Sequence, residues 1–97
     1  MTEPEVIEDA ELVARALAGG PEAFEPVVRR YQDAVFGVAL ARLGDFHDAE
    51  DVAQIAFVEA YRNLPNLAAR SRLGAWLRSI AIHKSIDLLR RRRGRPG

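Results

Sequence analysis

Residues 47–65 read HDAEDVAQIAFVEAYRNLP and carry the pattern that decides the fold. Apolar side chains recur in this stretch at steps of three and four, which places them on one side of a helix. This inward stripe consists of Ala53, Ala56, Phe57, Ala60 and Leu64. Asp48 is the predicted N-cap, and the pair Leu64-Pro65 marks the predicted end. The stretch therefore predicts a helix that contributes a full apolar face to a core.

A second set of residues in the same stretch lies on the adjoining face of the predicted helix. Its members are Asp51, Gln54, Ile55, Val58 and Arg62. Ile55 and Val58 are apolar although they fall on what should be an outer surface with acidic and polar neighbours. Such a surface is typical of a docking site for a basic helix. The alternative is that the first helix of the chain covers both side chains.

Two helices are predicted before this stretch. The first spans residues 9–18, with Asp9 as its N-cap and the pair Gly19-Gly20 as its end, because glycine accepts the left-handed conformation of a helix terminus. The second runs from Pro21 to Gly44, since proline is tolerated at the first helical position. Pro26 is predicted to kink this second helix.

A fourth helix is predicted over residues 72–93, with Ser71 as its N-cap and Gly94 and Pro96 as its stop. The preceding segment PNLAARSR, residues 65–72, is predicted to be a loop. No stretch alternates convincingly as a strand, and no internal repeat is visible. The sequence therefore predicts an all-α, compact four-helix domain.

Length and composition narrow the class of protein further. With 97 residues, 48% of them hydrophobic, the chain makes one domain with a modest core. It contains no cysteine, which excludes disulfides and thiolate metal sites. The longest apolar run, AVFGVALA at residues 34–41, is too short to cross a bilayer, and the start of the chain is acidic rather than basic. We expect a cytoplasmic protein with no membrane contact.

Charge is divided sharply along the chain, although the formal net charge is zero. Residues 1–61 hold thirteen acidic and four basic side chains, whereas residues 62–97 hold one acidic and ten basic ones. An acidic half suits a basic partner, and a basic half suits phosphate. We expect the acidic half to weaken the attraction of the free chain for DNA. The alternative is that the closing arginines are only a solvated helix end.

Support for enzymatic chemistry or a bound cofactor is thin. His47 and Asp51 stand four residues apart and could share a metal, but the chain has only two histidines and no third ligand at a defined spacing. His83, beside Lys84, is a candidate nucleic-acid contact. Trp76 is expected to belong mainly to the core, with one edge reaching the loop. We predict a protein that is not an enzyme and holds no metal or cofactor.

Two longer segments resemble region 2 of the extracytoplasmic-function (ECF) sigma factors, the small promoter-specificity subunits of bacterial RNA polymerase. These are GGPEAFEPVVRRYQDAVFGVALARLGDFHDAEDVAQIAFVEAYRNLP and WLRSIAIHKSIDLLRRRR. The resemblance covers the chain from about Asp9 to Arg93. It implies a flexible N-terminus over residues 1–8, a region 2 domain over 9–93 and a C-terminal tail over 94–97.

The resemblance also implies two kinds of site. The predicted helix after Gly44 would dock on the clamp helices of the β′ subunit of core RNA polymerase, and the loop and last helix would hold the non-template single strand of the promoter minus-ten element. The polymerase-binding set is Asp48, Glu50, Asp51, Gln54, Ile55, Val58 and Arg62. The DNA-binding set is Asn66, Leu67, Ala68, Ala69, Arg70, Ser71, Arg72, Arg78, Ser79, Ile82, His83, Arg90, Arg91 and Arg93. An anti-sigma factor is a further candidate partner.

The chain departs from the family pattern at the loop. Family members usually carry phenylalanine and then arginine-glycine where this chain has Leu67, Ala68 and Ala69, and another aromatic where it has Leu73. We therefore expect a smaller and less aromatic base pocket. The helix-turn-helix domain of region 4 does not follow region 2, which suggests an excised domain or a single-domain member. The alternative functions are a polymerase-binding decoy that has lost promoter reading and a general helical RNA-binding adaptor.

Overall fold

The computed structural model describes residues 7–94. Within that range the chain forms four α-helices and two short 3₁₀ turns, and it forms no strand. The helices are α1 (Asp9–Gly19), α2 (Pro21–Leu43), α3 (Phe46–Asn63) and α4 (Leu73–Arg93), and the turns are Leu64–Asn66 and Arg70–Arg72. The predicted all-α, four-helix fold is confirmed.

The central element is α2, which packs against each of the other three helices. Pro26 lies inside α2, and the helix continues through it to Leu43. Proline has no N–H to donate to the carbonyl of Glu22, four residues earlier, so α2 lacks one hydrogen bond near its start. The proline predicted to kink the helix therefore does not interrupt it.

The main core lies where the four helices meet. The inward stripe predicted for α3 is confirmed, because four of its five members are buried and Ala53 packs against them half-buried. The buried side chains of this core are Leu12, Val13, Ala16, Phe24, Val27, Val35, Ala56, Phe57, Ala60, Leu64, Leu73, Leu77 and Ala81. Leu73 and Leu77 are fully buried, which fixes the start of α4 against the rest of the domain.

A second, smaller core joins the end of α2, the start of α3 and the end of α4. Its buried members are Ala39, Ala49 and Val52, with Leu88 of α4 packed beside them. The other half-buried side chains of this core, Phe36, Leu40 and Leu43, come from α2, so within the described residues α4 contributes Leu88 to it. The far end of α4 therefore has few apolar contacts to hold it.

Glycines end α1 and α2 in conformations that other residues rarely adopt. Gly20 has φ 78° and ψ −155°, and Gly44 has φ 68° and ψ 8°. Gly44 also donates its N–H to the carbonyl of Leu40 at 2.9 Å, which closes the last turn of α2. Both predicted helix ends are confirmed.

The N-cap of α3 is Asp45, and the prediction of Asp48 is wrong. The side chain of Asp45 accepts a hydrogen bond from the backbone N–H of Asp48 at 2.9 Å, so α3 begins at Phe46. Asp45 follows Gly44 directly, and the left-handed glycine turns the chain into an extended residue that suits an N-cap. Asp48 thus lies in the first turn, where its negative charge interacts favourably with the helix dipole.

Two other predicted caps are also wrong. Asp9 is the first residue of α1, after Glu8 at the N-cap position, and its carboxylate binds side chains of α2 instead of the backbone of α1. Ser71 lies inside the second 3₁₀ turn, and α4 begins at Leu73 without a side-chain cap. For Asp9, tertiary contacts with α2 override the local preference of a short polar side chain for capping.

The predicted boundaries at the two termini fall largely outside the described residues. Of the N-terminal segment 1–8 only Ile7 and Glu8 are described, and Ile7 packs against the main core half-buried. Of the C-terminal tail 94–97 only Gly94 is described, so the predicted stop at Pro96 lies outside that part. No helix of the described part is long and apolar enough to cross a membrane.

Candidate functional site

The outer face of α3 consists of five side chains that point away from the core: Asp51, Gln54, Ile55, Val58 and Arg62. Ile55 is 47% exposed and Val58 is 50% exposed. α1 packs against α2, α4 and the two 3₁₀ turns, and both side chains remain accessible. The alternative that α1 covers them is therefore wrong. This face presents apolar surface beside a carboxylate, an amide and a guanidinium.

Glu50 and Asp48 complete the predicted polymerase-binding set, and they differ in accessibility. Glu50 is exposed beside His47, with 3.8 Å between the Oε1 and Nδ1 atoms. Asp48 is only 17% exposed, because Arg92 of α4 covers its carboxylate. Arg92 donates from Nη1 to Oδ2 at 2.6 Å and from Nη2 to Oδ1 at 2.7 Å. These hydrogen bonds lower the pKa of Asp48 and raise that of Arg92.

The segment between α3 and α4 folds into its two 3₁₀ turns around a groove of about 390 Å³. Its lining includes Asn66, Leu67, Ala68, Ala69 and Arg72, all from the predicted DNA-binding set. The volume falls within the range of about 300–1,000 Å³ that is usual for small-ligand pockets. The structure thus brings most of the loop residues together at one concave surface.

Two residues of α4 line this groove although they were absent from the predicted DNA-binding set. They are Ala75 and Trp76. Trp76 is half-buried, packs against the main core and also faces the groove, as expected for a core residue with one edge reaching the loop. Their spacing of three and four residues from Arg72 is the sequence signal that could have included them.

Arg70 and Ser71 of the second 3₁₀ turn are exposed and do not line the groove. The other predicted DNA contacts lie along α4. Arg78, Ser79 and His83 are exposed and Ile82 is half-buried. Arg90, Arg91 and Arg93 are exposed in the last turn. At a rise of about 1.5 Å per residue, the arginines lie roughly 26 Å along α4 from the groove at its start. The structure therefore does not join the two groups into one pocket, and only an extended ligand could contact both.

A hydrogen-bond network between α1 and α2 supports the start of α4. Tyr31 donates its hydroxyl hydrogen to Asp9, and Arg30 donates to the other oxygen of the same carboxylate at 3.1 Å. Burial, and then the hydrogen bond to Asp9, raise the pKa of Tyr31. The Tyr31 ring lies over Gly74, where an added Cβ would stand 2.9 Å from Cε1. A side chain at position 74 would therefore require the Tyr31 ring or the Arg78 guanidinium to shift.

Two further polar contacts involve α4, one with α3 and one within the helix itself. Lys84 of α4 and Glu59 of α3 form an ion pair at 3.2 Å across the interface of these helices. Ser85 is fully buried and donates to the carbonyl of Ala81 at 2.8 Å. Across residues 7–94, no three potential metal ligands gather into a cluster. The accessible features of this part of the chain are the outer face of α3, the groove and the exposed side of α4.

The chain matches the family model Sigma-70 region 2 over residues 27–95. That match covers most of the chain, from the first turns of α2 to the end of α4. The chain belongs to the Sigma-70 region 2 family, a class of helical domains, and its resemblance to the ECF sigma factors is confirmed by similar proteins that carry that name.

Three relatives illustrate this similarity. The RNA polymerase sigma-H factor of Pseudomonas aeruginosa is 38% identical over 89 residues, which are 92% of this chain and 46% of that protein. The ECF RNA polymerase sigma factor SigW of Bacillus subtilis is 35% identical over 75 residues, 77% of this chain and 40% of that protein. The ECF RNA polymerase sigma-E factor of Escherichia coli is 35% identical over 92 residues, 95% of this chain and 48% of that protein. The chain thus spans about half the length of these curated relatives.

Proposed function

We propose that the chain acts as the region 2 domain of an ECF sigma factor, a specificity module that works with core RNA polymerase in transcription initiation. The observation that carries this proposal is the outer face of α3, where Ile55 and Val58 are about half exposed beside Asp51. An apolar surface flanked by acids suits a basic, amphipathic helix. The proposed role is binding and not catalysis.

The outer face of α3 is proposed to dock on the clamp helices of the polymerase β′ subunit. Ile55 and Val58 would lose their contact with water there, which gives most of the affinity. Asp51 and Gln54 at the edge would determine specificity for the partner, since charge complementarity affects specificity and association rate more than affinity. Arg62 extends this face toward the end of α3.

The groove between the 3₁₀ turns and α4 is proposed to hold a base of the non-template strand of the minus-ten element. Extruding a base from a stack costs about a few kcal/mol, and contacts in the groove and to phosphates must offset that cost. The half-buried edge of Trp76 and the side chain of Leu67 offer apolar surface for the base. Arg70 and Arg72 beside the groove would hold adjoining phosphates.

The exposed surface of α4 is proposed to guide the DNA away from the groove. Arg78, Ser79 and His83 lie along it, and the closing arginines would contact phosphates at its far end. Such contacts fix the position of a strand but do not read its sequence. Base preference is therefore assigned to the groove and the salt dependence of binding to the arginines.

A second candidate function is a polymerase-binding decoy that docks but does not open promoters. The observation that favours it is the aliphatic lining of the groove, where Leu67, Ala68 and Ala69 leave Trp76 as the aromatic contributor. Aromatic side chains stack on bases more strongly than aliphatic ones do. A decoy would keep the outer face of α3 and lack a productive groove.

The decisive experiment adds the chain to core RNA polymerase on a template premelted across the minus-ten element. Stable open complexes that depend on the chain support the sigma-factor role. Competition with an intact sigma factor, without open complexes, supports the decoy. If the chain does not bind polymerase at all, both the sigma-factor role and the decoy are contradicted. The general RNA-binding adaptor would then be the remaining candidate function.

A further inference from the structure

The first turn of α3 and the last turn of α4 are tied together by one ion pair. The guanidinium of Arg92 meets the carboxylate of Asp48 with two parallel hydrogen bonds of 2.6 and 2.7 Å. This bidentate geometry is the strongest arrangement that arginine and a carboxylate adopt. Asp45 adds to the attraction, since its charge also raises the pKa of Arg92.

The pair is unequal in its exposure to solvent. The side chain of Asp48 is 17% exposed, whereas that of Arg92 is 52% exposed. A cation from a partner protein therefore cannot make the same two hydrogen bonds to Asp48 unless Arg92 moves away. Arg92, in contrast, lies on the surface and can turn toward solvent once it is released.

Arg92 differs from its neighbours in the arginine run. Within residues 7–94, no ion pair involves Arg90, Arg91 or Arg93. All three are exposed, and their side chains can contact phosphates as they stand. Arg92 must first give up its bonds to Asp48, and the two competitors, carboxylate and phosphate, offer it similar bidentate contacts.

Little else holds the last turn of α4. The buried members of the second core end at Val52 in α3, and Leu88 is the α4 residue that packs beside them. Beyond Leu88, the residues of α4 are exposed. The bond between Arg92 and Asp48 is therefore the contact that fixes this turn, and breaking it frees the turn without opening the main core.

We propose that Asp48 and Arg92 form a releasable contact that couples the polymerase-facing and DNA-facing surfaces. While Asp48 holds Arg92, this arginine is withheld from phosphate. A basic side chain of the polymerase that binds Asp48 releases Arg92, which then adds one phosphate contact. This inference rests on the proposed function, because it takes the partner at Asp48 to be polymerase. By linkage, DNA bound at Arg92 equally favours a basic partner at Asp48.

The test measures how binding of the chain to a single-stranded oligothymidine depends on salt. Each phosphate contact contributes about 0.7 to the slope of log affinity against log salt on a single strand. In the free chain, Arg92→Gln should leave the slope unchanged, whereas the matched variant Arg93→Gln should lower it by roughly 0.7. Equal losses for the two variants would overturn the proposal.

Removing the carboxylate tests the same contact from the other side. Asp48→Asn should raise the slope by about 0.7, and adding Arg92→Gln to it should remove that gain. Asp51→Asn is the matched control, because it removes the same charge one turn further along α3 and leaves the pair intact. If Asp51→Asn raises the slope as much as Asp48→Asn does, the effect comes from general charge repulsion, and the proposal is overturned.

A final arm separates this inference from the proposed function. With core polymerase bound, Arg92→Gln should lower the slope on a premelted minus-ten template as much as Arg93→Gln does. If polymerase binds and opens the template but Arg92→Gln has no effect there, only the releasable contact fails. If the chain does not bind polymerase, the proposed function fails as well.

Discussion

The outer face of α3 and the groove at the start of α4 are both proposed to bind a partner, yet they are built differently. The face lies on one uninterrupted helix, whose regular spacing alone brings Ile55 and Val58 together. The groove is formed by two 3₁₀ turns and by Trp76, and its shape depends on contacts with other helices. The outer face of α3 should therefore keep its shape when one of its residues is substituted. The groove should change shape when a residue that packs behind it is substituted.

The largest effect should follow from a charge placed on the outer face of α3. Val58→Asp should weaken binding to core polymerase by about 2 kcal/mol or more, roughly 30-fold, because a carboxylate replaces an apolar side chain in a desolvated contact. Leu17→Asp is the matched control, since Leu17 is a 40% exposed leucine on α1. Binding by titration should separate the two variants. Unchanged affinity of a folded Val58→Asp protein would remove α3 from the docking surface.

The next effect concerns the groove. Replacing Leu67 and Arg70 by alanine should weaken binding of the polymerase complex to single-stranded minus-ten DNA by about 1–2 kcal/mol and relax its base preference, while docking on polymerase is retained. The matched control replaces Leu17 and Arg15, two exposed residues of the same types on α1. An equal loss on every DNA sequence tested would reduce the groove to a phosphate contact and favour the decoy.

A smaller effect tests how the start of α4 is supported. Gly74→Ala should lower the free energy of unfolding by about 1 kcal/mol, because the new methyl group meets the Tyr31 ring. In a Tyr31→Ala background the same change should be stabilising by about 0.5–1 kcal/mol, since alanine favours a helix over glycine. Denaturant unfolding of the four proteins measures both steps. If Gly74→Ala destabilises the protein in both backgrounds, Tyr31 is not the residue that excludes a side chain at position 74.

The smallest effect is the pH dependence that Tyr31 contributes. Its folded-state pKa is raised, so the neutral phenol stabilises the domain fully below pH ~10, and this contribution is lost as pH rises through the raised pKa. Tyr31→Phe should cost about 0.5–1 kcal/mol near neutral pH, and its difference from wild type should shrink above pH ~10. The free energy of unfolding, measured at several pH values from neutral to above pH ~10, checks this difference. Tyr61→Phe is the control. A difference independent of pH would contradict the role of the phenol.

The contrast between a single helix and a groove built by several elements also explains which features the sequence predicted. Helical periodicity and the Gly-Pro boundaries predicted the four helices and the inward stripe of α3, because each depends on residues that are close in the chain. Exposure of Ile55 and Val58 was also predicted, with burial under α1 as the alternative. Deciding between these required the packing of α1, which no local pattern contains.

The predictions that failed concern polar side chains with a choice of partners. Asp9 was predicted to cap α1, but Tyr31 and Arg30 offer stronger contacts from α2. Asp48 was predicted to cap α3, although Asp45, next to Gly44, could have been recognised as the better placed aspartate. The bond from Asp48 to Arg92 joins residues 44 positions apart, so no sequence spacing could have predicted it.

The most direct test of the account is photo-crosslinking of the complete complex. A photo-reactive amino acid would replace either Val58 or Leu67 in the chain assembled with core polymerase and premelted minus-ten DNA. The account predicts that position 58 crosslinks to the β′ subunit and position 67 to the non-template strand. Crosslinks of position 67 to polymerase alone, or of position 58 to DNA, would contradict the assignment of the two surfaces to two partners.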